Sequence, residues 1–369
     1  MYNVLHVIGY MGSGGDTSVV LDVLDNMDSS EFHFDFVTHS GAKEDCIGLI
    51  RKKGSKVFIM DGDVRQLGLR RYYKDFLDLL EKSETKYDAI HVHTGMQSGV
   101  ALSAARKAGI PNRICHSHVT SIQRKASVIK KIVAVPIFRY LYMKNSTQKV
   151  SCSRDSGNFL YGRKADFTVV YNAVDTERYL NISPQKVYET KKSLGFGEND
   201  ILIGHVARMR NMKNQRFVLS LAEKLSEQAE TANIKFVLVG EGTDFEEIKR
   251  LAENMPNVTL TGRRSDIPVL MKMFDCVILP SLPGEGFPVT MLEAQAAGCR
   301  CIISENVTNE VEVGLKLVKS IPLSDTEAWL SELKSVSVSK DTGSMYAEKL
   351  MAMGFSSEQF VKNWLNLYK

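Results

Sequence analysis

Val4-Leu5-His6-Val7-Ile8-Gly9-Tyr10-Met11-Gly12-Ser13-Gly14-Gly15 is the stretch that decides the fold. A short apolar run stops at a glycine-rich turn. From Asp16 to Asn26 the spacing is helical, with Val19, Val20, Val23 and Leu24, and Met27 just beyond, on one face. Strand, glycine loop and helix in that order open a parallel α/β unit. Working outward, strands are expected at 32–38, 56–60, 89–93, 112–116 and 149–152, with helical patterns at 72–82 and 99–108. The pattern restarts near residue 200. Strands are expected at 201–206, 235–239, 258–261, 276–279 and 300–303, and helices at 215–225, 244–254, 267–273 and 289–297. Between the halves, Asn172, Asp175, Asn181, Ser183 and Pro184 break the periodicity. Strands alternating with helices imply right-handed crossovers, and open parallel sheets take ligands at the carboxyl ends of their strands.

Length agrees with two units. The chain has 369 residues, and single cores stop growing at about 250–300. Expected domains are 1–175 and 176–355, followed by an amphipathic helix in 356–369 with Phe360, Val361, Trp364, Leu365 and Tyr368 on one side. Hydrophobic residues at 44% and charged residues at 24% exclude a disordered, collagen-like or stapled small scaffold. No apolar run of about 18 residues reads as a membrane span. The first residues lack the basic region and cleavage site of a signal peptide. Six cysteines without a C-x-x-C pair read as buried thiols of a reducing cytosol, so a cytoplasmic location is expected. Net charge is +4, but residues 1–175 carry +6 and residues 176–369 carry −2. No acidic residue stands between Asp88 and Asp155, a gap holding eleven Lys or Arg.

Three motifs follow expected strands. Gly12-Ser13-Gly14-Gly15 before a helix suits close approach of a phosphate, or is only a tight turn; it matches neither G-x-G-x-x-G nor the P-loop. Arg208, Arg210 and Lys213 follow 201–206 and suit a diphosphate whose charge rises as it leaves, or form a solvated basic loop. Glu285-Gly286-Phe287-Pro288-Val289-Thr290-Met291-Leu292-Glu293 puts one carboxylate on a loop and another about a turn into a helix. Such carboxylates can accept hydrogen bonds from sugar hydroxyls; alternatively they complement the helix dipole and solvent.

Taken together, Glu285-x7-Glu293 within PSLPGEGFPVTMLEAQAAG, HVARMRNMKN, VLVGEGTD, VVYNAVDTERY and the early GSGG resemble the retaining glycosyltransferases of family four. The resemblance runs from about residue 3 to 310 and, within the family, is to bacterial capsule and exopolysaccharide enzymes. It implies the α/β GT-B fold: two facing Rossmann-like parallel-sheet domains with a deep interdomain cleft, the C-terminal helix crossing back onto the first domain. It implies that Arg208 and Lys213 bind and stabilise the departing diphosphate, that Glu293 holds the ribose, and that Glu285 holds donor-sugar hydroxyls beside the Gly286 and Phe287 amides. Gly14 and Gly15 approach the distal phosphate, Asp266 and Ile267 flank the nucleobase, and His118 contacts the donor sugar, with His116 the alternative. The first loop departs from the family's Gly-Gly-Ala-Glu, with Asp16 placed where a phosphate is expected. Asp16 either caps the helix or faces the ligand.

Retention without an evident nucleophile suits attack from the face the diphosphate leaves, the leaving phosphate taking the acceptor's proton. No metal and no cofactor is expected; the nucleotide-diphosphate sugar, most simply a UDP-sugar, is a co-substrate. Asp61-Gly62-Asp63 reads as a turn with solvated acids. Between 121 and 149 basic residues alternate with apolar ones, which suits peripheral contact with the anionic inner face of the plasma membrane and a lipid-linked saccharide acceptor. The stretch lacks a nucleic-acid motif. Two other readings share the architecture: a nucleotide-sugar 2-epimerase, which would turn over donor without acceptor, and a non-catalytic nucleotide-sugar-binding protein.

Overall fold

The computed structural model describes residues 1–369 other than 13–14, 40, 42–43, 122–127 and 339–343; at 15–16 and 128–133 it describes the backbone alone. The chain divides into two compact units, Met1–Asn172 with Ser357–Lys369, and Ala173–Ser356.

The first unit is built on seven strands: β1 Tyr2–Ile8, β2 Phe32–Thr38, β3 Val57–Ile59, β4 Ala89–Val92, β5 Asn112–Ser117, β6 Gln148–Ser151 and β7 Thr168–Val169. They pair in the order β3-β2-β1-β4-β5-β6-β7, every pair parallel. Val4, Leu5, Val7 and Ile8 are all buried, as a central strand covered on both faces requires. Helices Gly15–Asn26, Val64–Glu81 and Ser98–Lys107 lie in the crossovers. The second begins well before the periodic stretch at 72–82, because Asp63 caps it. Asp63 Oδ1 accepts from Arg65 N at 2.8 Å and Gln66 N at 3.2 Å, while Gln66 Oε1 accepts from Asp63 N at 2.8 Å. Asp61-Gly62-Asp63 is thus a turn and a cap, with Asp61 paired to Arg71 at 3.6 Å.

The C-terminal helix Ser357–Leu365 packs against helix Gly15–Asn26. Beyond it, Leu367 O accepts from Asn112 Nδ2 and Gln148 Nε2, each at 2.8 Å, which ties the chain end to the sheet.

The second unit repeats the plan with β8 Ile201–Val206, β9 Ile234–Val239, β10 Val258–Gly262, β11 Cys276–Leu279, β12 Arg300–Ser304 and β13 Val318–Ile321. The order is β10-β9-β8-β11-β12-β13, again all parallel. Its core gathers Phe236, Leu238, Ile278 and Ile302 around the fully buried Trp329. All six cysteines are free thiols, five of them buried. Among the described residues no helix is long and apolar enough to cross a membrane.

Candidate active site

In each sheet the strand order reverses beside the first strand, between β1 and β4 and between β8 and β11. At such a point the following loops diverge to opposite sides and leave a crevice at the carboxyl ends. The residues singled out after β8 and β11 stand at this place in the second unit.

After β8 the chain runs through Ala207–Arg210 into a short 3-10 turn, Asn211–Lys213, and reverses at Asn214, whose φ is 56°. After β11 it runs through 280–288 into helix Val289–Ala296. Leu282 N donates to Met212 O at 2.8 Å, and Asn214 Nδ2 to Pro280 O at 3.0 Å. These bonds hold the two loops side by side. Lys213 Nζ meets Glu285 Oε2 at 2.6 Å, with each side chain only 11% exposed. Ser281 Oγ donates to the same carboxylate oxygen at 3.3 Å. Two residues 72 positions apart thus form one nearly buried charge pair.

The loop after β9 supports it from the side. Gly240 has φ 129°, and a Cβ there would stand 2.2 Å from Ala207 O; at Gly242 it would stand 2.0 Å from Met209 O. Only glycine lets this loop lie on the backbone around Arg208. Met209 N then donates to Glu241 O at 2.9 Å, and Gln215 Nε2 to Arg208 O at 3.2 Å. Arg208 itself is half-buried.

Glu293 lies within helix Val289–Ala296. Burial raises its carboxyl above the usual range, opposed by the Arg178 charge and the Tyr179 hydroxyl from helix Glu177–Leu180. Gly286 and Phe287 are buried on the loop between Glu285 and that helix. Asp266 precedes helix Ile267–Met273, and its carboxylate is gripped by Arg264, Nε to Oδ1 at 2.8 Å and Nη2 to Oδ2 at 2.6 Å. Those bonds lower the Asp266 pKa. Arg264 and Asp266 thus form a neutralised pair, beside a half-buried Ile267.

Sequence reasoning gave no role to His205. It is buried on β8, with Nδ1 at 3.0 Å from Ile278 O and Nε2 without a hydrogen-bond partner among the described residues. Burial pushes it down to about 4, and the Lys213 and Glu285 charges act on it in opposite senses. It is a buried neutral ring within electrostatic reach of the ion pair. The signal was its place in GHVAR, directly before the basic loop.

In the first unit, Gly15 opens helix Gly15–Asn26, while Gly14 and the Asp16 side chain lie outside the described residues. The loop before that helix is tied by Thr17, whose hydroxyl donates to Tyr10 O at 3.2 Å and accepts from Gly12 N at 3.4 Å. His118 is half-buried just past β5. His116 is wholly buried, so of the two it is His118 that reaches partial exposure. Both belong to a larger group. His6 on β1, His91 on β4, His93 just past it, His116 and His118 lie together across three adjacent strands, under Trp364. Burial pushes His6 down to about 3 and holds His91, His93 and His116 well below the ordinary histidine value, with the neighbouring rings adding to the effect for the last three.

Ligand atoms of His6, His91 and His93, and of His93, His116 and His118, fall within 4.8 Å of one another, close enough to share an ion. Their nitrogens already face each other: His93 meets His6 at 3.2 Å and His118 at 2.8 Å. Ligation by either trio breaks these links, so the donor set fits a hydrogen-bonded chain better than a metal.

Comparisons with known proteins agree with this fold. The family model Glycosyltransferase Family 4 matches residues 13–178, and Glycosyl transferases group 1 matches residues 187–315. The chain is 32% identical to EpsF of Bacillus subtilis strain 168, assigned by name as a glycosyltransferase, over 99% of this chain and 96% of EpsF. It is 28% identical to the UDP-Gal:alpha-D-GlcNAc-diphosphoundecaprenol alpha-1,3-galactosyltransferase of Escherichia coli, over 77% of this chain and 76% of that one. The crystal structure of HepE from Anabaena in complex with UDP and glucose superposes with a TM-score of 0.76 at 18% identity, covering 99% of both chains.

Proposed function

The chain belongs to the glycosyltransferases of group 1 and family 4, with the GT-B fold, and from that premise we propose that it is a retaining hexosyltransferase using a UDP-sugar. It moves a hexose or N-acetylhexosamine to a saccharide acceptor carried on a lipid diphosphate, in surface polysaccharide synthesis at the cytoplasmic face of the membrane. The observation that carries this is the Lys213–Glu285 pair at the reversal point of the second sheet, where a diphosphate and a sugar can be held by adjoining loops. The names of the Escherichia coli galactosyltransferase and of the HepE complex support the uridine base and the lipid diphosphate acceptor.

In this reading Arg208 and Lys213 neutralise the departing diphosphate, Glu293 holds the ribose and Glu285 orients the donor sugar beside the Gly286 and Phe287 amides. Gly14 and Gly15 approach the distal phosphate, Asp266 and Ile267 border the base, and His118 contacts the sugar. Bond breaking runs ahead of attack from the same face. The protein supplies orientation and charge stabilisation, and needs no resident cofactor or metal for either. The test is incubation with a panel of UDP-sugars and a lipid-diphosphate saccharide, with NMR of the product's anomeric centre. Transfer with retained configuration is expected. Inversion, or an epimerised donor formed without acceptor, overturns it.

Without ligand, Lys213 is neutralised by Glu285, so a diphosphate must displace a carboxylate. Glu285→Gln is therefore expected to bind UDP about tenfold more tightly while turning over UDP-sugar more slowly. Isothermal titration with UDP, paired with initial rates, checks both signs.

Membrane contact draws support from helix Val128–Asn145, which exposes Ile137 and Tyr140, with Lys144 Nζ 2.8 Å from the Tyr140 hydroxyl. Residues 122–127 of the expected segment lie outside the described residues. Flotation with anionic vesicles but not with neutral ones is expected. Equal behaviour with both refutes the contact.

A further inference from the structure

Tyr10 stands just past β1, in the loop that opens the crevice of the first sheet. The backbone around it is pinned. His39 N donates to Gly9 O at 3.3 Å, Met11 N to Gly41 O at 3.5 Å, and the Thr17 hydroxyl to Tyr10 O at 3.2 Å. The Met11 side chain next to it is wholly buried. The ring itself lies along Gly12: a Cβ on that glycine would stand 2.5 Å from Tyr10 Cε1, 3.2 Å from Cδ1 and 3.3 Å from Cζ. Yet Tyr10 is 40% exposed.

Holding a side chain still costs rotamer freedom, which burial of an aromatic ring ordinarily offsets. At Tyr10 the ordering is present and much of the burial is missing. Among the described residues of the first unit, Tyr140 is the other exposed tyrosine; it lies on helix Val128–Asn145, whereas Tyr10 lies where parallel sheets take their ligands. A fixed ring with one side free suits a flat, apolar partner. The loop on the other side of the strand reversal adds a polar need. In the 3-10 turn Gly95–Gln97 after β4, Gln97 Oε1 is shut away from water and has no hydrogen-bond partner among the described residues. A purely apolar partner leaves that oxygen unpaired. A pyranose answers both needs, because its axial C–H groups make an apolar face and its hydroxyls are donors.

We propose that Tyr10 is a stacking platform for a sugar ring of the saccharide acceptor, and that it thereby helps to decide which acceptors the enzyme takes. The acceptor assignment rests on the function proposed above; the stacking of a sugar ring does not. In that reading the donor sugar is held by Glu285, His118 and the Gly286 and Phe287 amides, which leaves the acceptor ring for Tyr10. A ring already held against Gly12 loses little further freedom when a sugar arrives. Gly12 also gives a way to move the ring without removing it. Its backbone is not left-handed, and the nearest atoms an added Cβ meets are those of Tyr10, so Gly12→Ala pushes the ring aside.

Two measurements decide it. Protein labelled with 13C-tyrosine is titrated, with UDP present, with the methyl glycosides of glucose, galactose, N-acetylglucosamine and N-acetylgalactosamine, and with mannitol as a polyol that has no ring face. The Tyr10 resonance, assigned by its absence from Tyr10→Phe, is expected to shift with at least one glycoside and not with mannitol. No shift with any glycoside, or an equal shift with mannitol, overturns the platform without reference to turnover. The same shift with a UDP-sugar alone gives the ring to the donor and overturns the acceptor assignment. Kinetically, Tyr10→Ala is expected to raise the KM for a lipid-diphosphate saccharide about tenfold and the KM for the UDP-sugar less than about twofold. Tyr10→Phe, which keeps the ring, is expected to recover most of that loss. Gly12→Ala is expected to raise the acceptor KM in the wild type and to add less than about twofold in the Tyr10→Ala background. An undiminished effect in that background shows Gly12 acting through the fold rather than through the ring, and overturns the platform. A wild type that transfers no sugar refutes the proposed function, and the titration still decides the stacking. Thermal unfolding of each variant identifies any that does not fold.

Discussion

Lys213→Ala lowers kcat by about 10²–10³-fold, the loss that follows removal of one preorganised group from a developing negative charge. The structure adds a complication that the sequence does not. Lys213 is also the partner of Glu285 at 2.6 Å, in a place where both are nearly buried. Removing one member of such a pair leaves the other's charge uncompensated, a cost of about 3–5 kcal/mol. The alanine variant therefore unfolds at a lower temperature as well as turning over slowly. The double variant Lys213→Ala with Glu285→Gln separates the two effects. It removes the stranded carboxylate, so its Tm recovers most of the way to wild type, while kcat stays low because the cation is still missing. Stopped or steady-state rates measured beside melting curves show whether the two losses part. Recovery of turnover along with Tm identifies the pair as structural only.

The second large effect is on stability against pH. His6 is held at about 3, His39 and His205 at about 4, and His91, His93 and His116 well below the ordinary value, in each case chiefly by burial. In the unfolded chain these rings take up protons near pH 6.5. Between there and about pH 4 the unfolded state binds protons that the folded state refuses, so stability is fully present above pH 6.5 and falls as pH is lowered through that window. For His39 and His205 a shift of this size is worth on the order of 3 kcal/mol each. Those two alone reach the lower end of the usual domain stability of about 5–15 kcal/mol, and His6, His91, His93 and His116 act in the same direction. Melting curves from pH 8 to 4.5 should show Tm constant at the upper end and collapsing before pH 4.5, with a shallower fall in His205→Gln. A flat profile across the window contradicts the buried neutral histidines.

These two effects differ in how far they could be read from residues in line. The strand periods after 201 and 276, and the residues that follow them, were legible because a parallel sheet puts function directly after a strand. Arg208, Lys213, Glu285 and Glu293 were each visible in that way. That Lys213 and Glu285 touch was not legible, because contact depends on β8 and β11 being neighbours, and strand order is a property of the sheet. The hydrogen-bonded histidines were hidden for the same reason. His6 lies 87 positions from His93, and His91 lies 277 from Tyr368, so no local pattern announces them. His116 and His118 showed only as a pair after a strand. Past β12 the reading ran out: β13 and the helices Thr326–Lys334 and Met345–Ala352 are short elements without the strand-and-loop signal of the earlier ones. Asp61-Gly62-Asp63, read as a turn with solvated acids, is a turn, but its second aspartate is buried and caps a helix.

The central claim is that the loops after β8 and β11 hold a diphosphate through Lys213. Isothermal titration of the wild type and of Lys213→Ala/Glu285→Gln with UDP, and with uridine as the control lacking phosphates, tests it most directly. UDP affinity is predicted to fall by about tenfold or more in the double variant, the worth of one charge-assisted hydrogen bond, while uridine affinity stays within about twofold. Equal UDP affinity in the two proteins contradicts it.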